Sequence, residues 1–355
     1  MKTKDFLNHI DQLAIEHELT REQILEAFEK SLISGCKKNY QIKSCQLIFN
    51  KNYEELSLYK EYLVVGPDSV ANEENIDENI NIKKMTCVNL EEAQKLKNNP
   101  QIGEIIKIKV DPKEFNFYAS KDFKNKFNEE IIRHKKENIY NIFKKYEKKL
   151  IVAKVVSIKK NLYVLELEKE VQTVLLNKDK LDNDDFVAGE RIQVYVVEVK
   201  QTTKMPKILV SRTCVEFVLE IFKEFIPEVQ EGIIEIMGIS RIPSTRVKVG
   251  LFSHNSNIDA IGSCIGSKSS RIKNIINVLK GEKIDLFLWS DEPKELIANA
   301  LQPAKISQVD ILDLENKNAS VLVNEDQISL AIGKSGNNVR LAAQVIKWNI
   351  SIKTT

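Results

Sequence analysis

Residues 330–353 read LAIGKSGNNVRLAAQVIKWNISIK, and residues 260–287 read AIGSCIGSKSSRIKNIINVLKGEKIDLF. Aligned on Gly333 and Gly266, both stretches give Ile-Gly, a short polar loop, an amphipathic helix and a closing strand. The two copies lie 67 residues apart, a spacing that is too long for a solenoid repeat. The duplication therefore predicts two small domains of the same fold.

The loop of the later copy, Gly333-Lys334-Ser335-Gly336, is the only G-x-x-G in the sequence. Two glycines let a phosphate backbone approach closely, and the N–H groups at the start of the next helix supply donors and a positive dipole end. KH modules clamp about four backbone nucleotides with such a loop, although a plain turn matches four residues too. A P-loop needs a glycine where Ile328 stands, so nucleotide hydrolysis is not expected.

Five short strand-like runs lie between Leu150 and Arg212, separated by turns rich in Asn, Asp, Lys and Gly. They are IVAKVVSI, LYVLELE, VQTVLL, RIQVYVVEV and KILVSR. Five strands are the number in an OB-type barrel, which often binds single-stranded nucleic acid by stacking bases on exposed aromatic rings. Tyr163 and Tyr195 are the candidates for stacking, but strand alternation places either ring equally well in the core.

The first third of the chain mixes helix and strand signals. Thr20 and Gln23 form a capping box before an amphipathic helix that Gly35 is expected to end. Strand character follows in residues 45–65 and 105–110, and the acidic, Asn-rich residues 68–81 read as a loop.

A long helical pattern over residues 122–147 is strongly basic. Residues 121–160 hold 13 Lys and Arg against 5 acidic residues. This excess fits either a solvated helix face or a contact with nucleic acid or a polymerase.

Composition excludes several classes of protein. The chain has 53 Lys and Arg against 51 acidic residues, a formal charge of +2, which argues against histone-like binding by bulk charge. It shows no apolar run of the roughly 18 to 20 residues that a membrane span needs and no signal-peptide region, so we expect a soluble cytoplasmic protein. The five cysteines form no CxxC pair and the four histidines no metal motif, so we expect inert buried thiols and neither metal nor cofactor.

Several long segments resemble the NusA family of bacterial transcription elongation and termination factors. They are VYVVEVKQTTKMPKILVSRT, GIIEIMGISR, NIDAIGSCIGSKSSRI, GEKIDLFLWSDEP and EDQISLAIGKSGNNVRLAAQ. The likeness extends through LEEAQKLKNNPQIGEIIKIKV and HKKENIY, so it covers essentially the whole chain. It implies a non-catalytic factor that docks on the RNA polymerase core through its N-terminal domain and holds nascent single-stranded RNA, modulating pausing, elongation, termination and antitermination.

The resemblance also implies RNA-binding residues in both KH domains. In the second KH domain they are Gly333, Lys334, Ser335, Gly336, Asn338 and Arg340. In the first they are Gly266, Ser267, Lys268, Ser269 and Arg271, and Tyr163 is the candidate on the barrel. Ser269 stands where the family has its second loop glycine, and its Cβ crowds an approaching backbone and disfavours positive φ, which weakens the case for RNA binding by the first KH loop.

The sequence thus predicts an α+β multidomain protein with four parts. They are a mixed α/β N-terminal polymerase-binding domain (1–149), a five-stranded S1 barrel (150–213) and two tandem type II KH domains (214–302 and 303–355). We expect a monomer with no membrane partner. Other elongation or antitermination factors are possible further partners. Two other classes stay open: a ribosome-associated KH and S1 RNA-binding protein, and an RNA-processing or nucleotide-dependent enzyme with a catalytic part in residues 1–150.

Overall fold

The computed structural model describes residues 3–49, 56–66, 82–160 and 162–354. The chain divides into two compact units, Met1–Ile139 and Tyr140–Thr355. The predicted loop at residues 68–81 lies outside the described residues. In the described part, no helix is both long and apolar enough to cross a membrane.

The first unit combines helices with a four-stranded sheet. Its elements are α1 (Thr3–His17), α2 (Arg21–Tyr40), β1 (Cys45–Phe49), β2 (Leu56–Val64), β3 (Thr86–Val88), α3 (Leu90–Leu96), β4 (Ile105–Val110) and α4 (Phe117–Lys144), whose last turns belong to the second unit. Strand β2 pairs antiparallel with β1 and β4 and parallel with β3. The predicted mixture of helices and strands is confirmed.

Helix α2 begins as predicted but ends later. Gln23 N–H donates to Thr20 Oγ1 at 3.3 Å and Thr20 N–H donates to Gln23 Oε1 at 3.1 Å, which confirms the capping box. The prediction that Gly35 ends the helix is wrong, because α2 continues to Tyr40. A Cβ at Gly35 would lie 2.9 Å from a ring carbon of Phe115, so this glycine permits close packing inside the unit.

A nearly closed antiparallel barrel opens the second unit. Its strands are β5 (Leu150–Lys159), β6 (Leu162–Glu166), β7 (Gln172–Leu176), β8 (Arg191–Lys200) and β9 (Lys207–Ser211), in the order β7-β6-β5-β8-β9. Thr173 Oγ1 on β7 donates to the Ile208 carbonyl on β9 at 2.5 Å, so the two edge strands meet. The prediction of a five-stranded barrel is confirmed.

Two domains with the same order of elements follow the barrel, except that the first has two helices before its first strand and the second has one. The first contains α5 (Val215–Phe225), α6 (Pro227–Gln230), β10 (Ile234–Ile242), β11 (Arg246–Ser253), α7 (Ala260–Ile265), α8 (Ser270–Val278) and β12 (Lys283–Leu288). The second contains α9 (Pro293–Ala300), β13 (Gln308–Asp313), β14 (Asn318–Val323), α10 (Ile328–Ile332), α11 (Asn337–Ile346) and β15 (Asn349–Thr354). In each sheet the first two strands pair antiparallel and the last strand pairs parallel with the second. This is the predicted type II KH arrangement, and we call the two domains KH1 and KH2.

KH1 and KH2 pack through the sheet of KH1. Its inner face carries Val247, Val249 and Leu251, which are fully buried against the helices of KH1. On its other face, Ser240 Oγ donates to the Leu341 carbonyl of α11 at 2.7 Å. Helix α11 therefore lies directly on strand β10 and fixes KH2 against KH1.

A buried arginine joins the barrel to KH1. Arg212 donates to both carboxylate oxygens of Asp184 at 2.8 and 2.9 Å and to the Val278 carbonyl of α8 at 2.9 Å. Its guanidinium carbon also lies 5.2 and 5.0 Å from the ring centroids of Phe186 and Phe217. Because the Arg212 and Asp184 side chains are at most 3% exposed, each would be left as a buried unpaired charge without the other.

The five cysteines are free thiols but differ in exposure. Cys36, Cys45 and Cys264 are buried, and burial raises the pKa of Cys264 to about 12. Cys87 is exposed, so the expectation of inert buried thiols is wrong for that residue.

Candidate nucleic-acid interface

The polar loops of KH1 and KH2 follow the same backbone path. Gly333 has φ 74° and ψ 169°, and Gly266 has φ 72° and ψ 171°. At the last loop position, Gly336 has φ 74° and ψ 12°, and Ser269 has φ 61° and ψ 28°. Ser269 thus adopts the left-handed conformation in spite of its Cβ, at the energetic cost that this region imposes on a residue other than glycine.

The two glycines of the KH2 loop serve different purposes. A Cβ at Gly333 would lie 2.8 Å from the backbone nitrogen of Asn338, so this glycine is needed for packing inside the domain. At Gly336, apart from this residue and its two chain neighbours, no described atom lies within 4 Å of the position that a Cβ would occupy. The absence of a side chain at Gly336 therefore leaves open space at the loop surface. A nucleotide backbone needs such space to approach the loop closely.

Both loops lead directly into a helix. Helix α11 starts at Asn337, directly after the KH2 loop, and α8 starts at Ser270, directly after the KH1 loop. The first backbone N–H groups of a helix and the positive end of its dipole favour a phosphate at this place. The sequence-predicted pairing of a loop with a helix start is therefore present in both domains.

Asn338 and Arg271 occupy equivalent positions in the two domains, and both donate hydrogen bonds to backbone carbonyls near their loops. Asn338 is 3% exposed, and its Nδ2 donates to three backbone carbonyls, one of them that of Leu330 at 3.1 Å. Arg271 Nη1 donates to the equivalent carbonyl of Ser263 at 2.8 Å and to Glu228 Oε2 at 2.8 Å. The buried Asn338 side chain is not available to RNA, which corrects its predicted role, and the Arg271 guanidinium is engaged inside its own domain.

The exposed cations of the loops are arranged differently in the two domains. Lys334 follows the first glycine directly, whereas in KH1 that place is taken by the exposed Ser267 and the lysine, Lys268, comes one position later. Neither lysine forms an ion pair with another described residue. Arg340 is also exposed, and its Nη2 donates to Asn337 Oδ1 at 3.3 Å. KH2 therefore presents two cations beside its open loop position.

The barrel presents no tyrosine ring at the two predicted places. Tyr163 is 8% exposed, its hydroxyl donates to the Asp184 carbonyl at 3.3 Å, and its ring packs edge-on against Phe186. Tyr195 is 6% exposed. A buried ring offers no face to a base, so the core alternative holds for both residues and Tyr163 leaves the candidate set.

A cluster that the sequence did not indicate lies in the first unit. Ligand-type atoms of Glu26, Glu130 and His134 come within 4.8 Å of one another. Arg133 pairs with Glu130 at 2.8 Å and with Glu26 at 3.0 Å, and its Nη2 donates to His134 Nε2 at 3.0 Å. Because cations already compensate these carboxylates, the cluster is an ion-pair network, and the long sequence separation of Glu26 from the other two concealed it.

Fold and loop together define the class: this is a multidomain KH-type RNA-binding protein with an S1-like barrel before its tandem KH domains. Residues 5–137 match the NusA N-terminal domain family, residues 212–289 the NusA-like first KH domain and residues 293–355 the NusA-like second KH domain. The chain belongs to the NusA family.

Its curated relatives carry the name transcription termination/antitermination protein NusA. The Halalkalibacterium halodurans relative is 32% identical over 351 residues, covering 99% of this chain and 88% of the relative. The Bacillus subtilis relative is 32% identical over 353 residues, covering 99% and 91%. The Thermus thermophilus relative is 33% identical over 353 residues, covering 98% and 89%.

Proposed function

We propose that this protein is a non-catalytic transcription factor of the bacterial cytoplasm that binds the RNA polymerase core and nascent single-stranded RNA. Polymerase is bound by the N-terminal domain, and RNA by the KH domains, with KH2 as the stronger site. Binding modulates pausing, elongation, termination and antitermination. Membership of the NusA family supports this proposal, since its curated relatives are named as transcription proteins.

The observation that carries RNA binding is the open position at Gly336. Its φ is 74°, and no described residue other than its two chain neighbours has an atom within 4 Å of the place a Cβ would take, so the loop is open directly before the start of α11. Lys334 is exposed beside this space and adds a positive charge. The KH2 loop thus combines room, the start of a helix and charge at one place.

RNA binding is tested by fluorescence anisotropy with a labelled single strand of about 12 nucleotides. Replacing both Lys334 and Gly336 with Asp should weaken binding about tenfold or more, because a charge-assisted hydrogen bond contributes about 1.5–3 kcal/mol. Lys353→Asp combined with Thr354→Asp changes two exposed positions on β15, adds the same negative charge and is the control for charge alone. An unchanged affinity of the double variant would remove the KH2 loop as the site.

The polymerase partnership is tested separately with purified bacterial RNA polymerase core and with purified ribosomes. Co-sedimentation with polymerase and not with ribosomes is the expected result. Binding to ribosomes alone would favour the ribosome-associated alternative.

The non-catalytic part of the proposal is tested by incubating the protein with RNA, and with ATP or GTP and magnesium. We expect no turnover. Product formation that co-purifies with the chain would favour an enzyme.

A further inference from the structure

Two adjacent aromatic rings stand exposed at the start of α4. Phe117 is 74% exposed and Tyr118 is 71% exposed. Their ring centroids lie 5.7 Å apart at an interplanar angle of 77°, so the rings support each other edge to face. Single exposed apolar side chains are common, but two adjoining exposed rings form a contiguous apolar patch, which is the kind of surface that can mark a binding site.

Unpaired lysines follow the rings on the same side of the helix. Lys121 and Lys124 are exposed and lie four and seven residues after Phe117, which places all three on one helical face. Neither lysine forms an ion pair with another described residue. By contrast, Lys126 on the same helix pairs with Glu130 at 3.2 Å. On α4, the charge of Lys126 is therefore compensated by an acidic side chain, whereas the charges of Lys121 and Lys124 are not.

The backbone adds to the positive charge at this end of α4. The Asn116 side chain accepts a hydrogen bond from Ala119 N–H at 2.9 Å and so marks the beginning of a helix of 28 residues. The acids nearest in the sequence are Glu114 and Asp122. Asp122 accepts a hydrogen bond from Ser34 Oγ at 2.6 Å on α2 and is therefore directed into the unit.

We propose that this aromatic and basic surface, formed by Phe117, Tyr118, Lys121 and Lys124, binds single-stranded RNA. Bases stack on the rings, and the phosphates lie near the lysines and the start of the helix. Unpaired lysines beside exposed rings fit a polyanion with flat faces better than an apolar protein segment, which would leave the lysine charges uncompensated. The surface lies outside the KH domains, so it extends the RNA contact to the N-terminal domain, which the proposed function assigns to polymerase.

The test uses the full-length protein and a single strand of about 12 nucleotides that contains 4-thiouridine. Irradiation should attach this RNA to the tryptic peptide 114–121, which contains both rings and ends at Lys121. The same cross-link should persist in the variant whose KH2 loop carries Asp at Lys334 and Gly336, so a failure of the KH2 site and a failure of this surface are distinguishable.

Affinity gives a second measurement. Replacing Phe117 and Tyr118 together with Ala should weaken RNA binding about fivefold or more, and replacing both with Trp should retain it. The matched control removes two exposed aliphatic side chains of the same unit, Ile15 (80% exposed) and Ile132 (51% exposed), and should leave RNA binding unchanged. The proposal is overturned if the double Ala variant keeps its RNA affinity and no cross-link forms at peptide 114–121. It is also overturned if this variant loses polymerase binding and keeps RNA binding, because the surface would then bind a protein.

Discussion

Replacing Ser269 with glycine gives KH1 the pair of loop glycines that KH2 has. Ser269 has φ 61° and ψ 28°, close to Gly336 at the equivalent place, so the change needs no new backbone path. The left-handed conformation costs a residue with a Cβ about 1–2 kcal/mol. Removing the Cβ relieves this cost, but glycine also increases the conformational entropy of the unfolded chain, which offsets roughly 0.5–1 kcal/mol of the stabilisation. We therefore expect Ser269→Gly to stabilise the folded state by roughly 0.5–1 kcal/mol.

The same substitution should strengthen RNA binding by KH1. The Cβ and hydroxyl of Ser269 lie at the position equivalent to the one that stays open at Gly336, where they would hold a phosphate away from the start of α8. Allowing one further charge-assisted hydrogen bond corresponds to about tenfold in affinity. The reciprocal change, Gly336→Ser, should weaken KH2 by a similar factor.

Both changes are measured by anisotropy with the same single-stranded RNA, and stability by urea unfolding. Ser269→Gly is measured in a background whose KH2 loop carries Gly336→Asp, so that the signal reports on KH1. Ser269→Ala keeps the Cβ and serves as the control, which should bind as weakly as the Ser269 protein. Equal gains in Ser269→Gly and Ser269→Ala, or no gain in either with no loss in Gly336→Ser, would refute the reasoning from the Cβ.

Three further predictions concern stability. Arg212→Ala should lower the free energy of unfolding of the second unit by about 3–5 kcal/mol, because Asp184 is left buried without its partner; urea unfolding checks this, and a loss below about 1 kcal/mol would contradict it. Asn338→Asp replaces a buried donor that faces three carbonyls with an acceptor, so KH2 should be destabilised by about 3 kcal/mol or more. The control is Asn337→Asp, at a half-buried position whose Oδ1 only accepts a hydrogen bond, as a carboxylate also can. Burial and the neighbouring Arg133 lower the pKa of His134, so the folded state binds a proton less readily than the unfolded state, and the free energy of unfolding should fall as the pH drops from about 7.5 to about 5.5. His134→Gln should flatten this dependence, and an identical slope in both proteins would assign it to other groups.

Local patterns predicted the elements well because they depend on neighbouring residues. The capping box before α2, the five barrel strands and the duplicated loop and helix all follow from spacing within a few residues. Gly35 was misjudged because its role depends on Phe115, which is 80 residues away in sequence. No local pattern contains that contact.

The backbone path of the two KH loops follows from the spacing of their residues, whereas the surroundings of their side chains depend on packing. A sequence shows that Gly333 and Gly336 flank a loop. Only the packing shows that Asn338 lies against the Cβ position of Gly333, whereas the Cβ position of Gly336 is open. Strand alternation allows Tyr163 to lie on either face of the sheet, and which face becomes the interior depends on how the barrel closes. The exposure of Phe117 has the same origin, since a helical pattern alone does not reveal which side of α4 the other helices cover.

Helix α11 belongs to two structures at once. Its first residue follows the KH2 loop, and its later carbonyl at Leu341 accepts the hydrogen bond from Ser240 in the sheet of KH1. The KH2 loop therefore precedes a helix that also packs on the neighbouring domain, which sets the distance between the two KH loops. Under the proposed function, an RNA strand that binds both loops must span this distance, so the shortest RNA that engages both would be set by the protein and not by the RNA sequence.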